Sequence, residues 1–365
     1  MKKVLASLLA IGLAVSLVGC GGSGKTETTA APQSEAAGGS EAAGGEESSE
    51  AAGAAEASGD VKVLSICDSQ PASSLLGQAI GVSFADALAE LSGGTMQVQY
   101  YPAAQLGNGT TCMQMVQLGT LDMYRCDASA LYDYGISSMA VPSLPYIFRD
   151  RQHAIDVANS EIGDKLLQDV TDSGTGFVGV GWLVDTPRSF FIAKKEIKTL
   201  EDLKGIKIRS VEANLYLDYK AALGMNPTPL AFSEVYTSLS TGVIDAAANT
   251  LDSFVSNKLY EVCKYFVMNN GMIPAYPVVI SEKTWSGLTD EQKGWVLEAW
   301  KIAGDYFAKE GDALMEEQIT FCEGEGVTFC YPEDEDKWKE ACQSVTDEYG
   351  AGFEDLITQI ENVGK

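Results

Sequence analysis

A single histidine, His153, supplies all the imidazole in a chain of 365 residues, and that scarcity removes most metal and general-base chemistry. Zinc sites and nucleophilic triads lean on histidine. A metal would have to be held by scattered thiols, and no two of the eight cysteines stand in a Cys-x-x-Cys spacing. No Gly-x-Ser-x-Gly nucleophile elbow occurs either. Basic residues are also few, 25 against 51 acidic ones, for a formal charge of −26. A body this acidic repels polyanions and excludes nucleic acid as a partner. An arginine inside a cleft still holds a small anion, because short-range contacts outweigh screened distant charges. Together these absences point away from an enzyme, a cofactor or a metal site.

Residues 21–60 lack every aromatic residue and every Val, Ile, Leu and Met. Such a segment cannot bury a core, and as a flexible coil it spans roughly 35 Å, the reach of a tether. Ahead of it stand Lys2-Lys3, an apolar run from Val4 to Val18, and Leu17-Val18-Gly19-Cys20. That order resembles the lipobox of bacterial lipoproteins, with cleavage before Cys20 and lipidation of its thiol. The run is short for a membrane span. The expectation is an extracytoplasmic domain, lipid-anchored to the outer face of the cell membrane or periplasmic. The other cysteines, Cys67, Cys112, Cys126, Cys263, Cys322, Cys330 and Cys342, are odd in number. A bridge from Cys322 to Cys342 or Cys330 is open, and buried thiols are the simpler reading.

The remaining length suits two domains, and the chain hints at a duplication. Gln114-Met115-Val116-Gln117-Leu118-Gly119-Thr120-Leu121-Asp122-Met123 and Tyr236-Thr237-Ser238-Leu239-Ser240-Thr241-Gly242-Val243-Ile244-Asp245-Ala246 both read helix, Gly, x, Leu or Ile, Asp, apolar. In each, glycine suits the left-handed position that ends a helix, and a short strand follows. Proline-marked strands precede both, over residues 98–102 and 225–229. The pattern predicts an α/β, two-lobed fold like that of periplasmic binding proteins, with a ligand cleft between the lobes. Lobe 1 is expected over 61–184 plus about 275–315, and lobe 2 over 185–274 plus about 316–365. Thr199-Leu200-Glu201-Asp202 reads as a capping box, stopped by Gly205, and Ser233 as the cap of the helix carrying Val235 and Tyr236. Another capping box, Thr289-Asp290-Glu291-Gln292, opens a proline-free helix to about Glu317, long enough to span both lobes. Trp295, Ala299, Ala303, Tyr306 and Leu314 mark its apolar spacings, and Gly294, Gly304 and Gly311 its weak points. Arg209 closes a short strand after Ile206 and Ile208, and in open α/β sheets ligands sit at the carboxyl ends of strands.

Six blocks then carry a family resemblance: Tyr101-Pro102-Ala103-Ala104-Gln105-Leu106-Gly107, the run from Val116 to Met123, Leu144-Pro145-Tyr146-Ile147-Phe148, Glu201-Asp202-Leu203-Lys204-Gly205-Ile206-Lys207-Ile208-Arg209, the run from Phe232 to Asp245, and Leu259-Tyr260-Glu261-Val262-Cys263-Lys264-Tyr265. Over nearly all of residues 61–330 the chain resembles the solute-binding subunit of tripartite ATP-independent periplasmic (TRAP) transporters, the DctP type. The resemblance implies a monomeric receptor without cofactor that closes on a small organic acid, a C4-dicarboxylate or another carboxylate, and delivers it to a large and a small permease subunit. A binding lipoprotein of another transporter class, or a sensor input domain, shares the same two-lobed physics.

The resemblance also implies a site. Arg209 falls where the family clamps the carboxylate, Asn249 where it places a pocket asparagine, and Phe232 where an aromatic lines the pocket. Arg188 is the further arginine, reached through Trp182-Leu183-Val184-Asp185-Thr186-Pro187-Arg188, where the family's glycine is missing and Pro187 fixes the backbone. Tyr236 is pocket wall or support. Ala246-Ala247-Ala248 replaces a Gly-Gln-Glu stretch, which makes that wall smaller and drier. Asp127 falls on an acidic pocket position, and Arg125 either takes a second carboxylate or neutralises Asp127. The internal pair is favoured, because an unpaired aspartate facing an anion is costly in a dry cleft. Tyr124, Trp182, Phe190 and Phe232 are the nearby aromatics.

Overall fold

The structure, a computed structural model, describes residues 61–365; Cys20, the leader before it and the 21–60 segment lie outside the described residues. Among the described residues the strands are β1 Lys62–Cys67, β2 Met96–Tyr101, β3 Met123–Arg125, β4 Phe177–Val184, β5 Arg188–Ile192, β6 Lys207–Ser210, β7 Asn226–Pro229, β8 Ala246–Asn249, β9 Tyr265–Met272, β10 Ala275–Ser281 and β11 Thr328–Cys330. They form two sheets, ordered β2-β1-β3-β10-β4 and β11-β9-β5-β8-β6-β7. This is a two-lobed α/β fold. The chain crosses from one sheet to the other between β4 and β5, returns between β9 and β10, and crosses again along a long helix.

The helix-Gly-x-x-Asp pattern that occurs twice in the sequence takes the same local geometry both times. Gly119 ends the helix Gly109–Leu118 at φ 71°, and Gly242 ends Val235–Thr241 at φ 75°, both left-handed. Each is followed by an aspartate that ties the incoming strand to its parallel neighbour. Asp122 accepts from the Ser65 N–H on β1 at 2.8 Å, and Asp245 from the Lys207 N–H on β6 at 3.2 Å. The Thr199 capping box opens the short turn Leu200–Leu203 as expected, whereas Ser233 does not cap. It lies within a 3-10 turn, Phe232–Glu234, that precedes the helix, so its hydroxyl is not at the helix entrance.

The capping box at Thr289 and Gln292 opens a helix over Asp290–Gly324. Its 35 residues span about 52 Å at 1.5 Å per residue. Nothing in the sequence breaks it at Glu317, and it continues until Gly326 turns left-handed at φ 79°. The face that packs on the first sheet is Val296, Ala299, Trp300, Ala303 and Phe307, with Trp295, Tyr306 and Leu314 only half-buried at its margins. Phe84 stacks on Trp300 at 3.9 Å between ring centroids. Further along, Met315, Ile319 and Cys322 pack with Phe254, on the helix Leu251–Ser256, and with Phe266, on β9 of the second sheet. Gly311 lies where Arg151 passes beneath, its guanidinium donating to the carbonyls of Val184, Phe307 and Ala308 at 3.1, 2.9 and 2.8 Å. His153, on the helix Arg151–Ala158, is buried, with its ring nitrogens engaged by the Arg149 N–H and the Ile360 carbonyl.

Candidate functional site

The two sheets aim their functional ends at one cleft. On the second, β6 and β8 run parallel and β5 runs against β8, with Ser189 opposite Asn249. The carboxyl ends of β6 and β8 and the start of β5 therefore coincide, which gathers Arg209, Asn249 and Arg188. On the first, β1 and β3 run parallel with Cys67 opposite Tyr124. Their carboxyl ends bring Asp68 beside Arg125, with Asp127 two residues on.

Three buried arginines face this cleft, and their surroundings differ. Arg125 donates to Asp68 through Nε at 2.8 Å and Nη2 at 2.6 Å, and lies 4.3 Å from the Tyr276 ring centroid. Burial opposes its charge, but Asp68, with Tyr276, Tyr124 and Asp127 adding to it, outweighs that and raises its pKa above the ordinary value. Arg188 donates to Asp127 at 3.1 Å and to the Tyr276 hydroxyl at 3.0 Å. Burial again opposes, and Tyr276 and Asp127 together raise its pKa. Arg209 is the exception. Its Nε donates to the Leu230 carbonyl at 2.8 Å, its guanidinium lies 5.4 Å from the Phe232 ring centroid, and its terminal nitrogens meet no acceptor among the described residues. Burial, followed by repulsion from Arg188, pushes its pKa down to about 10. Behind it Lys220 is buried, donating to Ser210 and the Tyr216 carbonyl, with its pKa driven down by burial and by both arginines.

Such a guanidinium is still charged at neutral pH and has an unmet demand for an anion. Around it, Asn249 uses Oδ1 to accept from the Thr250 N–H at 3.0 Å, and its Nδ2 meets no acceptor among the described residues. A pocket of about 40 Å³ holds Arg209, Asn249, Arg188, Asp127 and Phe232 together. It adjoins a wider cleft of about 310 Å³ that shares Arg125, Asp127, Arg209 and Phe232 and adds Tyr124 and Met113. The lobes also touch through hydrogen bonds around it: Thr110 to Glu212 at 2.7 Å, Asn214 to Asp133 at 3.1 Å, Ser253 to Gln70 at 3.1 Å and the Leu75 N–H to Asp252 at 2.9 Å.

Several expectations need correction. Arg125 does not neutralise Asp127: strand pairing puts it against Asp68, while Asp127 has left β3 and turns to Arg188 and the Tyr216 hydroxyl. Tyr236 is exposed outside the cleft, its hydroxyl donating to Glu261 at 2.6 Å, because the helix turns that face to solvent. Trp182 packs under the first sheet, donating to the Gly163 carbonyl at 3.2 Å, and Phe190 is core, stacked between Tyr219 and Trp338. The cysteines from Cys67 to Cys342 are buried and unbridged. Asp68, Gln70, Asp185, Asp252 and Tyr276 were missed. Asp68 follows β1 directly, so the rule that singled out Arg209 applied to it as well.

The family model for bacterial extracellular solute-binding proteins, family 7 (DctP), matches residues 66–352. The sialic acid-binding periplasmic protein SiaP of Vibrio cholerae is 30% identical over 274 residues, 74% of this chain and 83% of that protein. A TRAP periplasmic solute-binding protein from Pseudomonas putida F1 with bound D-glucuronate superposes with a TM-score of 0.79 at 27% identity, covering 83% of this chain and 98% of that one. Another, from Xanthobacter autotrophicus Py2 with bound β-D-galacturonate, gives a TM-score of 0.78 at 30% identity over 82% and 99%.

Proposed function

Because the chain belongs to the DctP family of bacterial extracellular solute-binding proteins, we propose that it captures a small organic acid by its carboxylate on Arg209 and hands it to the large and small TRAP permease subunits. The observation that carries this reading is the buried Arg209 guanidinium, whose terminal nitrogens face the pocket without a protein acceptor. A carboxylate fits that fork with two parallel hydrogen bonds, and the Asn249 amide and Phe232 ring lie beside it. Arg188 and Arg125 serve the site through their own aspartates, which hold the pocket walls, more than through the ligand's charge. In the two ligand-bound relatives described above the ligands are uronates, acids of the same chemistry.

The protein acts as a monomer, held to the membrane by a lipid on Cys20 with residues 21–60 as the tether. A thermal-shift screen of organic acids identifies a ligand, since one present at a hundred times its Kd adds about 2.7 kcal/mol to the folded state. Calorimetry on Arg209→Ala then tests the clamp. The expected loss is about 2 to 5 kcal/mol, roughly 30-fold to several thousand-fold. Unchanged affinity removes Arg209 from the site.

A further inference from the structure

The small pocket has a second unsatisfied group. Asp185, between β4 and β5, is 7% exposed and lines it. Its Oδ1 accepts from the Thr186 N–H at 2.7 Å, and its Oδ2 meets no donor among the described residues. Asp252 lines the same pocket, accepting from the Leu75 N–H at 2.9 Å and Gln318 at 3.0 Å, both neutral donors. No lysine or arginine among the described residues pairs with either carboxylate.

The other charges in the pocket are accounted for. Asp68 is matched by Arg125 and Asp127 by Arg188. What remains is one cation, Arg209, and two carboxylates, Asp185 and Asp252. They reach the pocket from different elements: Arg209 from β6, Asp185 from the link between β4 and β5, and Asp252 from the helix Leu251–Ser256. A plain acid on Arg209 leaves the two carboxylates without a paired cation. A hydroxyl tail satisfies the hydrogen bond of Oδ2 but not the charge, and burying unpaired charge is expensive.

We propose that the pocket is built for an acid that also carries a protonated amine, with the carboxylate on Arg209 and the amine against Asp185 and Asp252. This rests on the Arg209 reading above. The amine supplies charge-assisted hydrogen bonds to Oδ2, and Asp185 and Asp252 set specificity where Arg209 sets class.

The test is calorimetry with matched ω-amino and ω-hydroxy carboxylates, four to six carbons long, so that each pair differs only in the terminal group. The amino member should bind about tenfold or more tightly than its hydroxy partner. Asp185→Asn, which keeps shape and removes charge, should erase that preference, with the amino member losing about tenfold or more relative to its hydroxy partner. Asp252→Asn, with its melting temperature checked beside wild type, should reduce the preference in the same direction. Hydroxy members binding as well as amino members, with affinity lost in Arg209→Ala, overturns the inference and leaves the clamp standing. If no member of the series binds but other acids do through Arg209, the inference falls alone. If no acid binds through Arg209, both fall.

Discussion

Arg188 and Asp127 meet at 3.1 Å across the cleft, joining the start of β5 on one sheet to the second residue past β3 on the other. With side chains 7% and 17% exposed, neither has much water to fall back on. Asp127→Ala should therefore strand a buried guanidinium and destabilise the protein by about 3 kcal/mol. Urea unfolding measures this, and an unchanged midpoint would show that the bridge adds nothing to the fold.

Gly311 and Gly294 lie on the same helix and should answer alanine in opposite ways. A Cβ at Gly311 comes within 2.5 Å of Arg151 Nη2, part of a guanidinium that three backbone carbonyls hold in place, whereas one at Gly294 meets nothing within 4 Å. Gly294→Ala should stabilise by about 0.5 to 1 kcal/mol through helix propensity. Gly311→Ala should destabilise by about 1 to 3 kcal/mol through overpacking. Equal shifts in thermal unfolding would contradict the close approach.

Arg209→Lys keeps the charge and loses the planar fork, so binding of an acid identified by the screen should weaken about tenfold. The anion favours the charged guanidinium, whose pKa burial and Arg188 hold at about 10. Affinity in wild type should be level from about pH 7 to 9 and decline above about pH 10. Titration calorimetry across that range gives the profile, and a decline beginning near neutrality would point to another group.

Asp185 gives a stability signature of opposite sense to most aspartates. Burial, reinforced by Asp252, raises its pKa from 3.8 to about 6. The folded state then holds the proton more tightly than the unfolded chain, so stability from this group is present below about pH 4 and lost as the pH rises through about 6. The loss amounts to at most about 3 kcal/mol. Urea unfolding at pH 4 and pH 7 should show Asp185→Asn gaining on wild type at the higher pH, and a constant difference would place the carboxyl in an ordinary environment.

Tyr236→Phe removes a hydroxyl that, among the described residues, bonds to Glu261 alone on the outer face, so acid binding should be unchanged. A loss of affinity by calorimetry would return Tyr236 to the cleft.

The lobes, the paired helix-Gly-x-x-Asp units and the bridging helix were legible because each rests on local chemistry: a left-handed glycine, a capping box, a proline-free run. That Arg209 and Asn249 line one pocket was legible because their places follow from strand ends and family blocks. The partners of Arg125 were not, since whether it faces Asp127 two residues on or Asp68 fifty-seven residues back depends on which strand lies beside β3. Trp182 and Tyr236 failed for a related reason. Proximity in sequence to a pocket residue says nothing about which side of the backbone faces the cleft, and a helix or strand sends adjacent side chains to different faces. Asp185 stood in the sequence as a departure from the family's glycine, and only its burial and its free oxygen made it chemically notable.

The continuous rod from Asp290 to Gly324 is cemented to the hydrophobic interiors of both halves, and two short strand-to-strand links run alongside it. A clamshell splinted in that way gapes only as far as the splint bends. The compliance of a single helix therefore enters into how wide the two halves part.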